Sequence, residues 1–187
     1  KVRKRHFSTE CLDGSYADFA AVDLLRRLYR FYKMTDVEYD LFADYFQFYI
    51  QDEQSDGIDG DSWTEIANNA RLALEANAFA VCTARNMEVP VKIVVSNSSP
   101  NLDLSLWDHV VEFSIDVPSG RLVVAGCTDY FPDAERISLD SGCYEVRVLS
   151  ANLDKLSDDG LDGDDYYRVE LWKGRASSLK VLKQYTA

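Results

Sequence analysis

The chain has 187 residues, with 20 Lys and Arg against 32 Asp and Glu, and a formal net charge of −12. That length suits one domain, or one domain with an extension, and an apolar fraction of 47% is enough for a packed core. The acidity argues against nucleic acid or an anionic membrane as ligand, since both would be repelled, and no window reaches the roughly 18 apolar residues of a membrane span.

Charge is unevenly spread. Residues 1–33 hold eight basic and four acidic residues, a net +4, while residues 34–187 hold 12 basic and 28 acidic, a net −16. A shift of this kind suggests a boundary. It falls beside Met34-Thr35-Asp36, which reads as a natural chain start. Two readings stand: a basic segment 1–33, appended or extended upstream of an acidic domain 34–187, or an ordinary N-terminal helix of the same domain. The opening KVRKRH is followed by HFSTECLDGS and not by an apolar stretch, so no secretory signal is read and a cytoplasmic location is expected.

Within the basic segment, residues 16–33 have helical spacing. Ala21, Leu24, Leu25, Leu28, Phe31 and Tyr32 share one face, while Asp23, Arg26, Arg27, Arg30 and Lys33 take the other. Asp13-Gly14-Ser15 supplies a turn and a cap. Such a basic amphipathic helix can lie on a membrane, enter a partner's groove, or pack on its own domain.

From residue 39 the pattern turns to β. YDLFADYFQFYIQ (39–51), rich in Tyr and Phe, is read as one strand. An acidic loop follows, with Asp52, Glu53, Asp56, Asp59 and Asp61. Ser62-Trp63-Thr64-Glu65 reads as a capping box, Ser62 at the cap, opening a helix over 63–74 with Ile66, Ala70 and Leu74 on one stripe. Strands are then expected at 78–84, 89–96, 109–116, 120–126, 135–139, 143–150, 166–174 and 179–185. Val117-Pro118-Ser119-Gly120 and Asp140-Ser141-Gly142 are the tight turns between them. A second acidic loop, 154–165, contains Asp158, Asp159, Asp162, Asp164 and Asp165. Short strands at regular spacing, without helices between them, predict a mainly β fold: an antiparallel β-sandwich, with one short helix and the N-terminal amphipathic helix.

The chemistry-bearing residues are few. Cys11, Cys82, Cys127 and Cys143 are far apart with no C-x-x-C, so they read as buried free thiols rather than a zinc site. Asn97-Ser98-Ser99 fits a glycosylation sequon, but without a secretion signal it reads as a polar loop. The histidines are His6 and His109; His109 could pair with Cys127 or Cys143, although no G-x-S-x-G occurs, and the alternative is a strand-end histidine bonded to a neighbour. Neither acidic loop fits an EF-hand: with Gly57 at position 6, Trp63 falls at position 12, and with Gly160 at position 6, Lys155 falls at position 1. No phosphate-binding glycine motif is present. No metal or cofactor is therefore expected, beyond an alternative in which calcium sits between loops. Trp63, Trp107 and Trp172 read as core residues or, in the alternative, as platforms for sugar rings.

Several segments resemble the competence protein J family of nuclease inhibitors over about 39–175. They are YFQFYIQDE, SWTEIA, VPVKIVV, VPSGRLVV and SGCYEVRVL, in that order. The resemblance implies a C2-like or jelly-roll-like sandwich that binds and inhibits a nuclease without doing chemistry itself. The acid excess agrees, because a nuclease cleft is basic and complementary charge speeds encounter. The expected function is a non-enzymatic inhibitor or immunity protein that neutralises a basic nuclease or toxin. The expected contacts are Asp56, Asp59, Asp61, Asp158, Asp159, Asp162, Asp164 and Asp165, with Trp63 and Tyr166 as aromatic anchors. The alternative is a small-molecule or carbohydrate-binding sandwich assisted by calcium.

Overall fold

The computed structural model describes residues 35–186. The boundary near residue 33, the helix expected over 16–33, His6 and Cys11 lie outside the described residues.

Eleven strands are described: β1 (Thr35–Phe42), β2 (Gln47–Asp52), β3 (Leu72–Glu75), β4 (Ala78–Cys82), β5 (Glu88–Ser96), β6 (His109–Val117), β7 (Arg121–Gly126), β8 (Glu135–Ser138), β9 (Gly142–Ala151), β10 (Tyr166–Lys173) and β11 (Lys180–Lys183). One short helix, α1 (Glu65–Asn69), precedes β3. The strands form two sheets, β1-β5-β10-β9-β6-β11 and β3-β4-β2-β7-β8. Pairing is antiparallel apart from β5 with β10. Alternate residues of both sheets meet in one apolar layer. Phe48 of β2 meets Tyr167 of β10 edge-on at 5.9 Å, and Phe79 of β4 meets Phe113 of β6 at 4.9 Å, so aromatic pairs bridge the two sheets. The predicted mainly β sandwich is what forms.

Two local readings are corrected. The segment 39–51 is two strands in different sheets, not one. Tyr39, Leu41 and Ala43 point inward at odd positions, whereas Phe48 and Ile50 do so at even positions. A half-buried strand cannot change phase without a break, and the break is a 3-10 turn at Asp44–Phe46. The helix expected over 63–74 is only Glu65–Asn69, and its cap is Thr64, whose hydroxyl accepts from the Ala67 amide at 3.2 Å. Ser62 instead donates to the Glu75 carboxylate. Arg71, at φ 51°, ends the helical run and turns the chain into β3. Ile66, placed on the buried stripe by the sequence, is 74% exposed.

The outer face of the larger sheet carries a covered charge ladder. Glu112, Arg147 and Glu170 lie side by side on β6, β9 and β10. Arg147 bridges Glu112 at 2.6 Å and Glu170 at 3.0 Å, and Arg168 reaches Glu170 at 2.8 Å. Arg147 also donates to the Pro100 carbonyl and the Ser99 hydroxyl, so the 97–108 loop lies over the ladder.

Candidate interaction site

Strand registers define the two ends of the sandwich. One end gathers the β1–β2 turn, the β4–β5 loop, the β7–β8 loop and the β9–β10 loop. The other gathers the exit of β2, the β6–β7 turn and the β8–β9 turn. The first acidic loop leaves from Asp52, at the second end. The second acidic loop joins β9 to β10, at the first end. The two acidic loops therefore leave the sandwich from opposite ends.

At the second end, Asp52 is fully buried. Its carboxylate accepts from the Gln54 amide at 2.9 Å, the Ser119 amide at 2.9 Å and the Ser119 hydroxyl at 2.6 Å. It thus ties β2 to the β6–β7 turn, whose Gly120 sits at φ 67° with a Cβ there only 2.9 Å from the Leu139 carbonyl. Asp56, Asp59 and Asp61 are exposed and Trp63 is half-buried. The Asp59 side chain accepts from the Asp61 amide at 3.0 Å. Asp59 and Asp61 rim a shallow groove of about 480 Å³, whose apolar floor includes Leu72, Leu74 and Leu179. The groove lies where the two sheets leave an open edge.

At the first end, the acidic loop divides in two. Asp158, Asp159, Asp162 and Asp164 are exposed. The Ser157 hydroxyl, and then the Leu161 amide, hold the Asp159 carboxyl below its ordinary value. Asp165 is different and corrects the expectation that it is a surface contact: it is fully buried. Arg85 pairs with one of its oxygens, and the Tyr167 hydroxyl donates to the other at 2.9 Å. Burial, and next the Asp165 charge, push the Tyr167 phenol far above its ordinary value. Asp165 therefore anchors the loop that presents its exposed neighbours. Tyr166 is half-buried, stacked on Trp107 with ring centroids 6.0 Å apart. All three tryptophans are half-buried, not core; Trp172 lies under the Arg147 guanidinium.

Sequence reasoning missed an aromatic cluster at the first end. Tyr45 is 74% exposed, Tyr130 71% and Phe46 50%. Phe42 and Phe131 also reach solvent. Tyr45 and Phe46 both occupy the left-handed region, at φ 55° and 59°. The turn is held by the Asp44 carboxylate accepting from the Tyr45 amide at 3.0 Å and by the Asn86 side-chain oxygen accepting from the Phe46 amide at 3.2 Å. Ala43 and Thr83 amides add bonds to Met87 and Phe46 carbonyls. Gly126 joins the two halves of the cluster: a Cβ there would come 2.5 Å from the Phe42 carbonyl oxygen, and its amide donates to Asp129 at 2.7 Å.

The remaining candidates for chemistry are occupied structurally. His109 is buried, with Nε2 2.9 Å from the Ala70 carbonyl and Nδ1 accepting from the Tyr185 amide. Burial holds it below its ordinary value. Cys82, Cys127 and Cys143 are free but half-buried, more open than the buried thiols expected. Among the described residues, no group of three or more His, Cys, Asp or Glu side chains is arranged to hold a metal ion, and no helix is long and apolar enough to cross a membrane.

No protein-family model matches the sequence, and no curated protein matches it. Solved structures do match. The chain is similar to ComJ of Bacillus subtilis, an inhibitor of the DNA-degrading activity of NucA, with a TM-score of 0.56 and 18% identity over 76% of this chain and 96% of ComJ. It is also similar to the crocagin biosynthetic gene J product, with a TM-score of 0.52 and 18% identity over 76% of this chain and 99% of that one. The described sandwich thus has the fold of ComJ, the fold implied by the resemblance noted above.

Proposed function

We propose that this chain is a non-enzymatic acidic binding protein, acting in the cytoplasm, that neutralises a basic nuclease or toxin. The observation that carries the reading is the likeness to ComJ across nearly the whole of that inhibitor. The net −16 of residues 34–187 supports it, because it exceeds the magnitude of about 2–8 that solubility asks of a small domain. An acidic face can occupy a cleft built for phosphates and is drawn there at long range.

The test is a low-salt pull-down with the full chain from the cells that make it. The recovered protein is identified by mass spectrometry, purified and assayed on linear duplex DNA. A basic nuclease, captured in stoichiometric amount, released by salt and inhibited by the chain, is the expected result. Capture of no nuclease, or of one that the chain leaves fully active, overturns the reading.

A further inference from the structure

We infer that the partner docks on the first end of the sandwich, with Tyr45 and Tyr130 as its aromatic anchors and the exposed acids of the 158–164 loop beside them. The occupant is a basic protein face, the nuclease of the proposed function, on which this inference rests.

Three observations lead there. The first is exposure. Phe42, Tyr45, Phe46, Tyr130 and Phe131 come from two segments that meet at Gly126, and all reach solvent. Single exposed apolar residues are ordinary, whereas five exposed aromatic rings gathered at one end of a sandwich mark an interaction surface. Tyrosine and phenylalanine are also enriched at interface cores, where a large ring adds contact area and few rotors are frozen.

The second is charge. Residues 40–46 and 126–135 contain Asp40, Asp44, Asp129, Asp133 and Glu135 and no Lys or Arg. Arg136, whose guanidinium lies 5.4 Å from the Phe131 ring centroid, is taken up by Glu53 and by the Ala134 and Phe131 carbonyls, so the acids outnumber it at this face. The patch continues into the second acidic loop. Phe46 bonds Asn86, its neighbour Arg85 is closed by Asp165, and Asp162 lies 3.9 Å from the same guanidinium. An aromatic centre with an acidic surround is complementary to a basic face carrying apolar or cationic side chains, and arginine stacks well on exposed tyrosine. Residues 34–187 of a second copy, at net −16, would bring like charge against like.

The third is preorganisation. Tyr45 and Phe46 are fixed in a left-handed turn by Asp44 and Asn86 before any partner arrives. A surface held in its bound shape loses less entropy on association. The first acidic loop leaves from the other end and follows the β3 edge, where Asp59 and Asp61 line the groove with Leu72 and Leu74, outside this face.

The experiment compares the wild-type full chain, the double variant Tyr45→Ala/Tyr130→Ala, and Ile66→Ala. Ile66 is as exposed as Tyr45 but lies on α1, outside the patch. The readout is inhibition of the nuclease recovered above on linear duplex DNA, with circular dichroism confirming that each variant is folded. The expected result is an inhibition constant about tenfold or more weaker for the double variant and unchanged for Ile66→Ala. A nuclease inhibited equally by all three proteins overturns the docking face and leaves the functional reading intact. A chain that inhibits no recovered nuclease overturns both. A photoreactive benzoylphenylalanine placed at position 45 of the full chain should cross-link to the nuclease; cross-links to residues 1–34 of the same chain, or to a second copy, assign the patch to that occupant and overturn the inference.

Discussion

The Tyr185 amide donates to Nδ1 of His109 at 3.2 Å, while Nε2 of the same ring stands 2.9 Å from the Ala70 carbonyl. One imidazole therefore joins the chain after β11, the start of β6 and the exit of α1. Accepting at Nδ1 and donating at Nε2 requires the neutral ring.

That requirement predicts a pH dependence. Burial lowers the folded-state value of His109 below its ordinary 6.5. The unfolded chain then takes up the proton first as pH falls, so the stabilisation is complete above 6.5 and is lost as pH falls from there through the folded value. Urea denaturation at pH 7.5 and 5.5 should show a stability loss in the wild type that is smaller in His109→Gln, whose amide donates and accepts without titrating. Equal losses in both would mean that other groups set the acid response.

The sandwich was legible because its physics is periodic. Val91, Ile93 and Val95, and Tyr144, Val146 and Val148, alternate inward on their strands, and both runs were read as strands with nearly the right bounds. The break at Ala43 was also written in the sequence, as the phase slip from Leu41 to Phe48, but aromatic composition hid it. Losing that turn lost the exposed Tyr45 and Phe46 with it. The end of α1 was not legible: only a positive φ at Arg71 makes 72–75 a strand, and nothing marks an arginine for that conformation. Asp165 could not be told from Asp164 by type or spacing. What separates them is Arg85, eighty residues earlier, a contact that exists only once β4, β5 and β10 are in place.

Asp52 should behave as a structural residue although it begins a run of acids. Asp52→Ala removes a buried carboxylate and leaves the Ser119 and Gln54 amides without their acceptor. Charge-assisted bonds of this kind contribute about 1.5–3 kcal/mol, so a loss of about 3 kcal/mol is expected in urea denaturation. Ser119→Ala keeps the backbone bond and should cost about 1 kcal/mol. Similar small losses for both would show that water replaces the carboxylate at this turn.

Within the second acidic loop, Asp165 and its neighbours should part company. Asp165→Ala takes the buried partner from the Arg85 guanidinium, itself 7% exposed, and leaves it only the solvent-exposed Asp162 at 3.9 Å. Breaking a buried pair from one side costs about 3–5 kcal/mol, and at about 2–4 °C per kcal/mol for a chain of this size the melting temperature should fall by roughly 10 °C. Asp158→Asn with Asp159→Asn, both exposed, should leave it unchanged while slowing association with a basic partner at low salt. If Asp165→Ala melts like the wild type, the loop is not anchored by this pair.

Tyr45 offers the sharpest separation of stability from function. A non-glycine residue at φ 55° carries about 1 kcal/mol or more of backbone strain. The ring does little to offset it inside the fold, because Tyr45 is 74% exposed. Tyr45→Gly relieves the strain and should hold or raise the melting temperature by a few °C, since about 1 kcal/mol is worth about 2–4 °C here, with some of the gain offset by the greater freedom of glycine in the unfolded chain. Tyr45→Ala keeps the strain and should melt at or slightly below the wild type. Both should weaken inhibition of the nuclease alike, because both remove the ring. A chain made more stable and less inhibitory by one substitution would mean that the strained turn is retained for what it presents to a partner. A melting temperature lowered by Tyr45→Gly as far as by Asp165→Ala would instead make the ring part of the fold's own packing, and the strain would need no functional explanation.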